Sequence, residues 1–251
     1  MNTTITAVGA IRRLERPECT ELALQEFDRI GEVLSTLDDA GWSRPTDCPD
    51  WDVRAVAGHI LGMAQTFSSL RQFLSYMPTA ARTRGDRILM DSLTALQVTR
   101  TAGLDRATLI GNIGTTGTAA ARWRASRKLM RRIPLKQPMP NGSVETWHLA
   151  YLLDVILLRD PWMHRVDITR ATGHEMVLTP EHDGRLVADV VAEWAGRHGR
   201  PFTLTLTGPI GATYVAGDGR GEVITLDTVE FCRTVSGRAT GSGLLTQEVP
   251  F

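Results

Sequence analysis

The sequence predicts a mainly helical protein: an antiparallel helical bundle over residues 1–177 followed by a small α/β domain over residues 178–251. Three observations predict it. Apolar residues recur at helical spacing through roughly the first 175 positions, and short or moderate loops join four or five such segments, the pattern that buries one stripe per helix in a bundle. Beyond Pro201 the pattern switches to period two, which marks strands. A chain of 251 residues, 42% apolar, is long enough for a substantial core and excludes disorder.

The helical segments follow in order. From Cys19 to Gly41, the residues Leu22, Phe27, Ile30, Leu34 and Leu37 share one face, and Gly41 supplies a stop. The segment Trp42 to Asp50 carries two prolines and several cap-forming side chains, so it reads as an ordered loop, with Asp50 or Asp52 capping the next helix. That helix runs through Val53, Val56, His59, Ile60, Met63 and Phe67 and ends before Pro78, which turns His59 inward. After a polar turn from Thr79 to Arg87, a helix through Ile88, Leu89, Leu93, Leu96 and Val98 stops near Gly103, and Asp105 can cap another. Gly111, Gly114 and Gly117 make the following stretch either irregular or tightly packed. From Arg122 to Ile133, Trp123, Leu129, Met130 and Ile133 fall on one face and Arg124, Arg127, Lys128 and Arg131 on the other. With Arg122 and Arg132 at its edges, that cationic side reads as a solvated face. Pro134 ends this helix, Pro134 to Ser143 reads as loop, and Val144 to Thr172 reads as one long helix, perturbed at Pro161 and closed by Gly173.

In the second domain, Glu181 to His198 reads as a helix with Leu186, Val187, Val190, Val191 and Trp194 inward, and Phe202 to Thr207 alternates as a half-buried strand. Turns at Gly208 to Gly211 and Gly217 to Gly221 lead into Ala212 to Ala216 and Glu222 to Leu226, and Val229 to Val235 reads as helical.

Composition excludes several function classes. Lys+Arg and Asp+Glu both number 28, so the whole molecule offers no electrostatic argument for nucleic acid or acidic lipid. Three cysteines, Cys19, Cys48 and Cys232, with no CxxC spacing argue against a disulfide scaffold and fit a reducing cytoplasm. Residues 1–13 lack a signal-peptide core, and the richest apolar stretch, Leu149 to Leu158, is interrupted by Asp154. The expectation is a cytoplasmic protein with no membrane or nucleic-acid partner.

The informative pair is Asp160 and His164, four residues apart and therefore on one helix face. A third donor is needed from another helix, and His59, on an otherwise apolar inward stripe, supplies it. Two imidazoles and a carboxylate suit a divalent metal, zinc first, with nickel, iron or copper compatible by ligand type. His148 lies about 160° around an ideal helix from His164 and faces elsewhere, as does Asp154. His174, His182 and His198 lie past the bundle, whereas Asp167, three residues after His164, can accept the spare ring N–H. A plainer reading stands beside this one: Asp160 before Pro161 is also an N-cap followed by an N1 proline, with no metal at all.

The run Trp42-Ser43-Arg44-Pro45-Thr46-Asp47-Cys48-Pro49-Asp50-Trp51-Asp52-Val53-Arg54, followed by Ala57-Gly58-His59, resembles the opening of the mycothiol-dependent maleylpyruvate isomerase family, which is DinB-like. The resemblance continues through Arg159 to Ile168, with its acidic-x-x-x-His-x-x-Asp pattern, and at Glu230 to Arg238, so it covers most of the chain. It implies a DinB-like four-helix metal-binding bundle with a small C-terminal α/β domain, metal ligands His59, Asp160 and His164, and mycothiol as thiol cosubstrate. Two departures bear on the site. The acidic ligand is Asp where the isomerase pattern has Glu, one methylene longer, and Pro161 removes a helix donor, which either spoils the site or brings the shorter carboxylate closer.

The chemistry that follows is that of a metal-stabilised thiolate adding to an electrophilic carbon of a small substrate, giving cis–trans isomerisation or S-transfer. Arg238 is the candidate cation for a substrate carboxylate. Cys48 lacks a recognisable base in the sequence and reads as structural; Trp51 and Trp162 read as packing. The alternative is a non-enzymatic module in which the metal, if any, is structural and the second domain binds a ligand.

Overall fold

The computed structural model describes residues 5–139, 142–218 and 220–251. The turn expected at Gly217 to Gly221, the loop expected up to Ser143 and the reading of residues 1–13 each include positions outside the described residues, namely 219, 140–141 and 1–4. The chain divides into two compact units, Arg16–Glu175 and Met176–Phe251, the latter joined by the N-terminal segment up to Glu15. The N-terminal segment therefore groups with the second unit and not with the bundle, unlike the expected division at residues 177 and 178. The reason is backbone pairing: β1 (Ile5–Ala7) runs parallel to a strand near residue 213.

The bundle unit begins with α1 (Arg16–Ser35), followed after a break by the short α2 (Asp39–Trp42), whose N-cap Asp38 accepts from the Gly41 N–H at 2.8 Å. The single expected helix from Cys19 to Gly41 is thus two, because Asp38 offers its carboxylate to the backbone in place of continuing the helix. Next come α3 (Val53–Thr66), α4 (Leu70–Thr83), α5 (Leu89–Thr101) and α6 (Arg106–Ser126). Pro78 lies inside α4 and does not terminate the preceding helix, which stops at Thr66 before Ser69 caps the new one. The carbonyl that Pro78 leaves without a helical donor belongs to Leu74, which is 57% exposed, so water can supply the missing bond.

Two of the chain's glycines are explained by close approach. A side chain at Gly117 would meet the ring of Phe27 on α1 at 2.3 Å, whereas Gly111 and Gly114 face open space and α6 stays regular through all three. A Cβ at Gly62 would stand 2.4 Å from that of Gln97, so α3 and α5 approach here nearly backbone to backbone.

The segment after α6 corrects the expectation most. The helix ends at Ser126, and a hairpin of β2 (Pro134–Pro138) and β3 (Val144–His148) occupies what reads as loop and the start of a helix. Its alternating burial, with Leu135, Gln137, Glu145 and Trp147 half-buried, is that of a two-faced ribbon. Arg124 is buried at 5% exposure, Arg131 pairs with Asp154 and Arg127 stands over the Trp123 ring at 5.1 Å. The expected cationic face is therefore partly internal. One turn, α7 (Leu149–Tyr151), then a π-helical turn (Leu152–Ile156), lead into α8 (Leu157–Thr172), closed by Gly173 at φ 71°.

Helices α1, α3, α6 and α8 pack on one another, with α5 on α3 and α4 on α5. Their core joins Phe27, Ile30, Leu34, Val56, Ile60, Leu109, Ile113 and Ile168, all nearly inaccessible. Buried within the unit, Arg165 on α8 donates from Nε and Nη2 to the two carboxylate oxygens of Glu26 on α1, at 2.7 and 3.1 Å. Neither residue stands out in the sequence as a core member, since charge patterning alone places both on a solvated face.

The second unit holds a π-helical turn (Pro180–Gly184), α9 (Arg185–His198), β4 (Phe202–Thr207), β5 (Thr213–Ala216), β6 (Glu222–Asp227) and α10 (Thr228–Val235). The sheet order is β1-β5-β4-β6, with β4 antiparallel to β5 and parallel to β6. Trp194 on α9 fills its core between Phe202 and Phe231, and its indole N–H donates to the Leu244 carbonyl at 3.2 Å. The fold is mostly helical with a small sheet region, as expected.

Candidate metal centre

The site is built by α3, α8 and the loop that leads into α3. Asp52 caps α3, accepting from the Ala55 N–H at 2.8 Å, and an isolated bridge between Pro45 and Asp52 closes the loop upon itself. Thr46 ties that loop further by donating its hydroxyl to the Trp51 carbonyl at 2.9 Å, and Asp50 turns the chain at φ 64°. The apolar and small residues from Val56 to Gly62 are all buried around His59, so the imidazole is carried inward with the core face.

On α8, Asp160 and His164 project to one side, as their spacing requires. His164 Nε2 lies 3.4 Å from Asp160 Oδ1, and His59 Nε2 lies 3.6 Å from Asp160 Oδ2. The two imidazoles meet edge to face at a centroid distance of 4.9 Å. One ligand atom from each of the three residues lies within 4.8 Å of the others. Both histidines are buried, while the Asp160 side chain is 22% exposed and is the most accessible of the three. Burial opposes charge on both members of the α8 pair, yet mutual attraction wins. Burial pushes the Asp160 carboxyl up, but His164 first and then His59 hold it far below the usual carboxylate range. Burial pulls His164 down, but Asp160, Asp167 and Cys48 raise it well above an ordinary imidazole.

These residues fit a divalent cation on two observations. Donors each about 2.0–2.1 Å from a tetrahedral ion stand about 3.3 Å apart, close to the 3.4 and 3.6 Å that separate the two imidazole nitrogens from one or the other Asp160 oxygen. In addition, Asp160 Oδ2, one of the proposed donors, is buried without a hydrogen-bond partner, which is costly unless another group is coordinated nearby.

The surroundings include Asp167, which the sequence offers as a partner of His164, and Cys48 and Trp51, which it reads as structural and as packing. Asp167, fully buried, sits 3.0 Å from His164 Nδ1, and Cys48 donates its thiol to the same Asp167 oxygen at 3.3 Å. Cys48 thus has a carboxylate and imidazole partner that only the tertiary fold supplies. The Trp51 ring lies 5.1 Å from His59 and 6.4 Å from His164, forming an aromatic wall to the site. Its position one residue before the capping Asp52 is the one local signal. His148 is exposed on β3 and Asp154 pairs with Arg131, so neither joins the centre. Arg238 belongs to the other unit, half-buried just beyond α10, where its N–H donates to the Arg233 carbonyl at 2.9 Å.

The sequence pattern of the family described as "Mycothiol maleylpyruvate isomerase N-terminal domain" matches residues 23–169, more than half of the chain. The chain belongs to this family. All of His59, Asp160, His164, Asp167, Cys48 and Trp51 fall inside the matched maleylpyruvate isomerase segment, and Arg238 falls outside it. Two crystal structures are similar in fold: the mycothiol-dependent maleylpyruvate isomerase and a histidine-to-alanine mutant of it. Each is 19% identical, with a TM-score of 0.53 and coverage of 98% of this chain and 98% of that chain. This likeness makes the architecture DinB-like. No curated protein matches the chain at a significant level. Among the described residues, no helix is long and apolar enough to cross a membrane.

Proposed function

We propose that the chain is a divalent-metal- and mycothiol-dependent enzyme, an isomerase or a thiol S-transferase, acting on a small electrophilic substrate. The observation that carries this reading is the convergence of His59 Nε2, His164 Nε2 and the Asp160 carboxylate, two of them buried, with separations of 3.4 and 3.6 Å. His59, Asp160 and His164 are the proposed ligands, and zinc is the proposed metal because two imidazoles and a carboxylate are a set used by catalytic zinc sites. When bound, such an ion supplies Lewis acidity that keeps a low-molecular-weight thiol in its nucleophilic thiolate form near neutral pH.

The protein's part is to orient and to exclude water. Asp167 accepts the Nδ1–H of His164 and so leaves the Nε2 lone pair directed at the centre. Trp51 closes one side with an apolar ring, and the partly exposed Asp160 marks the side from which ligands arrive. Addition of the thiolate to a conjugated double bond leaves a single bond free to rotate. Expulsion of the same thiolate then completes isomerisation, and retention with protonation of carbon completes transfer. Arg238, from the Ser236-Gly237-Arg238 motif, is the cation we assign to a carboxylate of the substrate. The reducing cytoplasm is the compartment that suits three free thiols and a thiol cosubstrate.

The test is metal content of the purified chain beside His59→Ala and His164→Ala. Near one equivalent in the wild type and loss in both variants support the reading. A cobalt-substituted sample should also change its visible absorption on addition of a mycothiol-like thiol. Metal retained in either variant, or a spectrum indifferent to thiol, would overturn it, the latter in favour of a structural metal.

A further inference from the structure

Pro161 follows Asp160 directly and lies within α8, so it has no N–H to give to the carbonyl four residues back, that of Leu157. The same chain contains a control for what this costs. Pro78 deprives the Leu74 carbonyl of its donor, but Leu74 is 57% exposed and water is at hand. Leu157 is 4% exposed, and a buried carbonyl without a donor is among the costlier defects in a fold.

The donor comes from another helix. Nη1 of Arg124, on α6, reaches the Leu157 carbonyl at 2.8 Å. Arg124 is 5% exposed, and among the described residues it makes no ion pair with a carboxylate, although burial of an unpaired charge is unfavourable. Burial lowers its pKa only to about 10, so the guanidinium stays charged at neutral pH. The backbone it holds is irregular: Leu157 ends the π-helical turn at φ −72° and ψ 7°, three residues before Asp160. The same turn is tied again by the pair Arg131–Asp154.

We propose that Arg124 is a positioning residue of the His59–Asp160–His164 centre, its guanidinium occupying the donor place that Pro161 vacates and thereby fixing the turn of α8 that carries Asp160. This rests on reading the centre as a metal site. It also accounts for Asp and Pro standing together at this ligand position: a carboxylate on a short stem has little freedom to compensate for backbone displacement, so its turn must be held from outside.

The test is a double-mutant cycle of Arg124→Met and Pro161→Ala on the full chain. Met keeps the aliphatic bulk of Arg, and the Pro161→Ala change restores the backbone N–H that can bond Leu157. Zinc affinity is read by competition with a chromophoric chelator, the cobalt absorption spectrum reports ligand geometry, and thermal unfolding of the chelated protein reports stability. Arg124→Met should weaken zinc binding by about 10–100-fold when Pro161 is present and by less than about 3-fold in the Pro161→Ala background, with the cobalt spectrum restored in the double variant. Equal weakening in both backgrounds, or a lowered melting temperature with unchanged zinc affinity and spectrum, would overturn the proposal. If Arg124→Met does not fold, Arg124→Lys is carried through the same cycle and judged by the same rule. Absence of zinc binding by the wild type would defeat the metal reading itself, whereas wild-type binding with background-independent loss defeats only the role of Arg124.

Discussion

His164 Nδ1 lies 3.0 Å from Asp167 Oδ2, one turn further along α8, and this contact decides which ring nitrogen is left for the centre. On the proposed metal reading, the proton held on Nδ1 leaves the Nε2 lone pair for the ion. Asp167→Asn retains the shape but lets either face of the amide meet the ring, so the tautomer is no longer fixed. Zinc affinity measured by chelator competition should fall about 10–100-fold while circular dichroism stays that of the folded chain. An unchanged affinity would show that the contact is incidental.

The Glu26–Arg165 pair joins α1 to α8 out of reach of water. Removing one partner leaves the other charge buried. Glu26→Ala should destabilise the bundle by about 3–5 kcal/mol, read from chemical denaturation, while Glu26→Ala combined with Arg165→Met should recover much of that loss.

Gly62 allows α3 to sit against Gln97 of α5, where an added methyl would come within 2.9 Å of the Gln97 Cα as well as its side chain. Because a backbone atom cannot rotate away, Gly62→Ala should cost about 1–3 kcal/mol in spite of alanine's better helix propensity. Gly114→Ala, facing open space, should instead be neutral or stabilising. Paired denaturation curves check both.

His198 gives the second unit a pH dependence. Its ring packs on Trp194 at 4.4 Å, and its Nδ1 accepts the Arg200 N–H at 3.1 Å, a bond only an unprotonated Nδ1 can accept. Burial first, then the Arg200 charge, lower its pKa below the usual 6.5. The unfolded chain therefore binds the proton more readily than the folded one. The contribution is fully present above about pH 6.5 and is lost as the pH falls through the folded value. Thermal melting of wild type and His198→Gln should differ least in slope above about pH 7 and most between about pH 6.5 and 5, where only the wild type loses this increment.

Much of this architecture is legible in the sequence where one element speaks for itself. Helix α3 announces its cap, its stripe and its inward histidine, and the Asp160–His164 spacing states a shared face without any tertiary knowledge. The residues that resist are those whose role depends on a distant partner. Arg124 falls on the polar side of a helical pattern, and nothing nearby reveals that a proline in α8 leaves a buried carbonyl for it to serve. Cys48 lacks a base until α8 brings Asp167 within 3.3 Å. The hairpin of β2 and β3 is hidden by Pro134 and Pro138, which read as breakers but sit at the ends of a two-stranded ribbon, where a missing donor costs little. Strand β1 is three residues long and has no pattern apart from its partner β5.

That last pairing sets an order of events during synthesis. Ile5 to Ala7 leave the ribosome before the bundle does, yet Thr213 to Val215, with which they align, come only after the bundle of residues 16–175 has been made. The bundle can close while the sheet still lacks its neighbours, and the early strand must wait unpaired until β5 has been made. Such a long-range closure is slow by its entropy, so the zipping of this edge should follow closure of the bundle, and a time-resolved assay of protease resistance should see the helices protected before it.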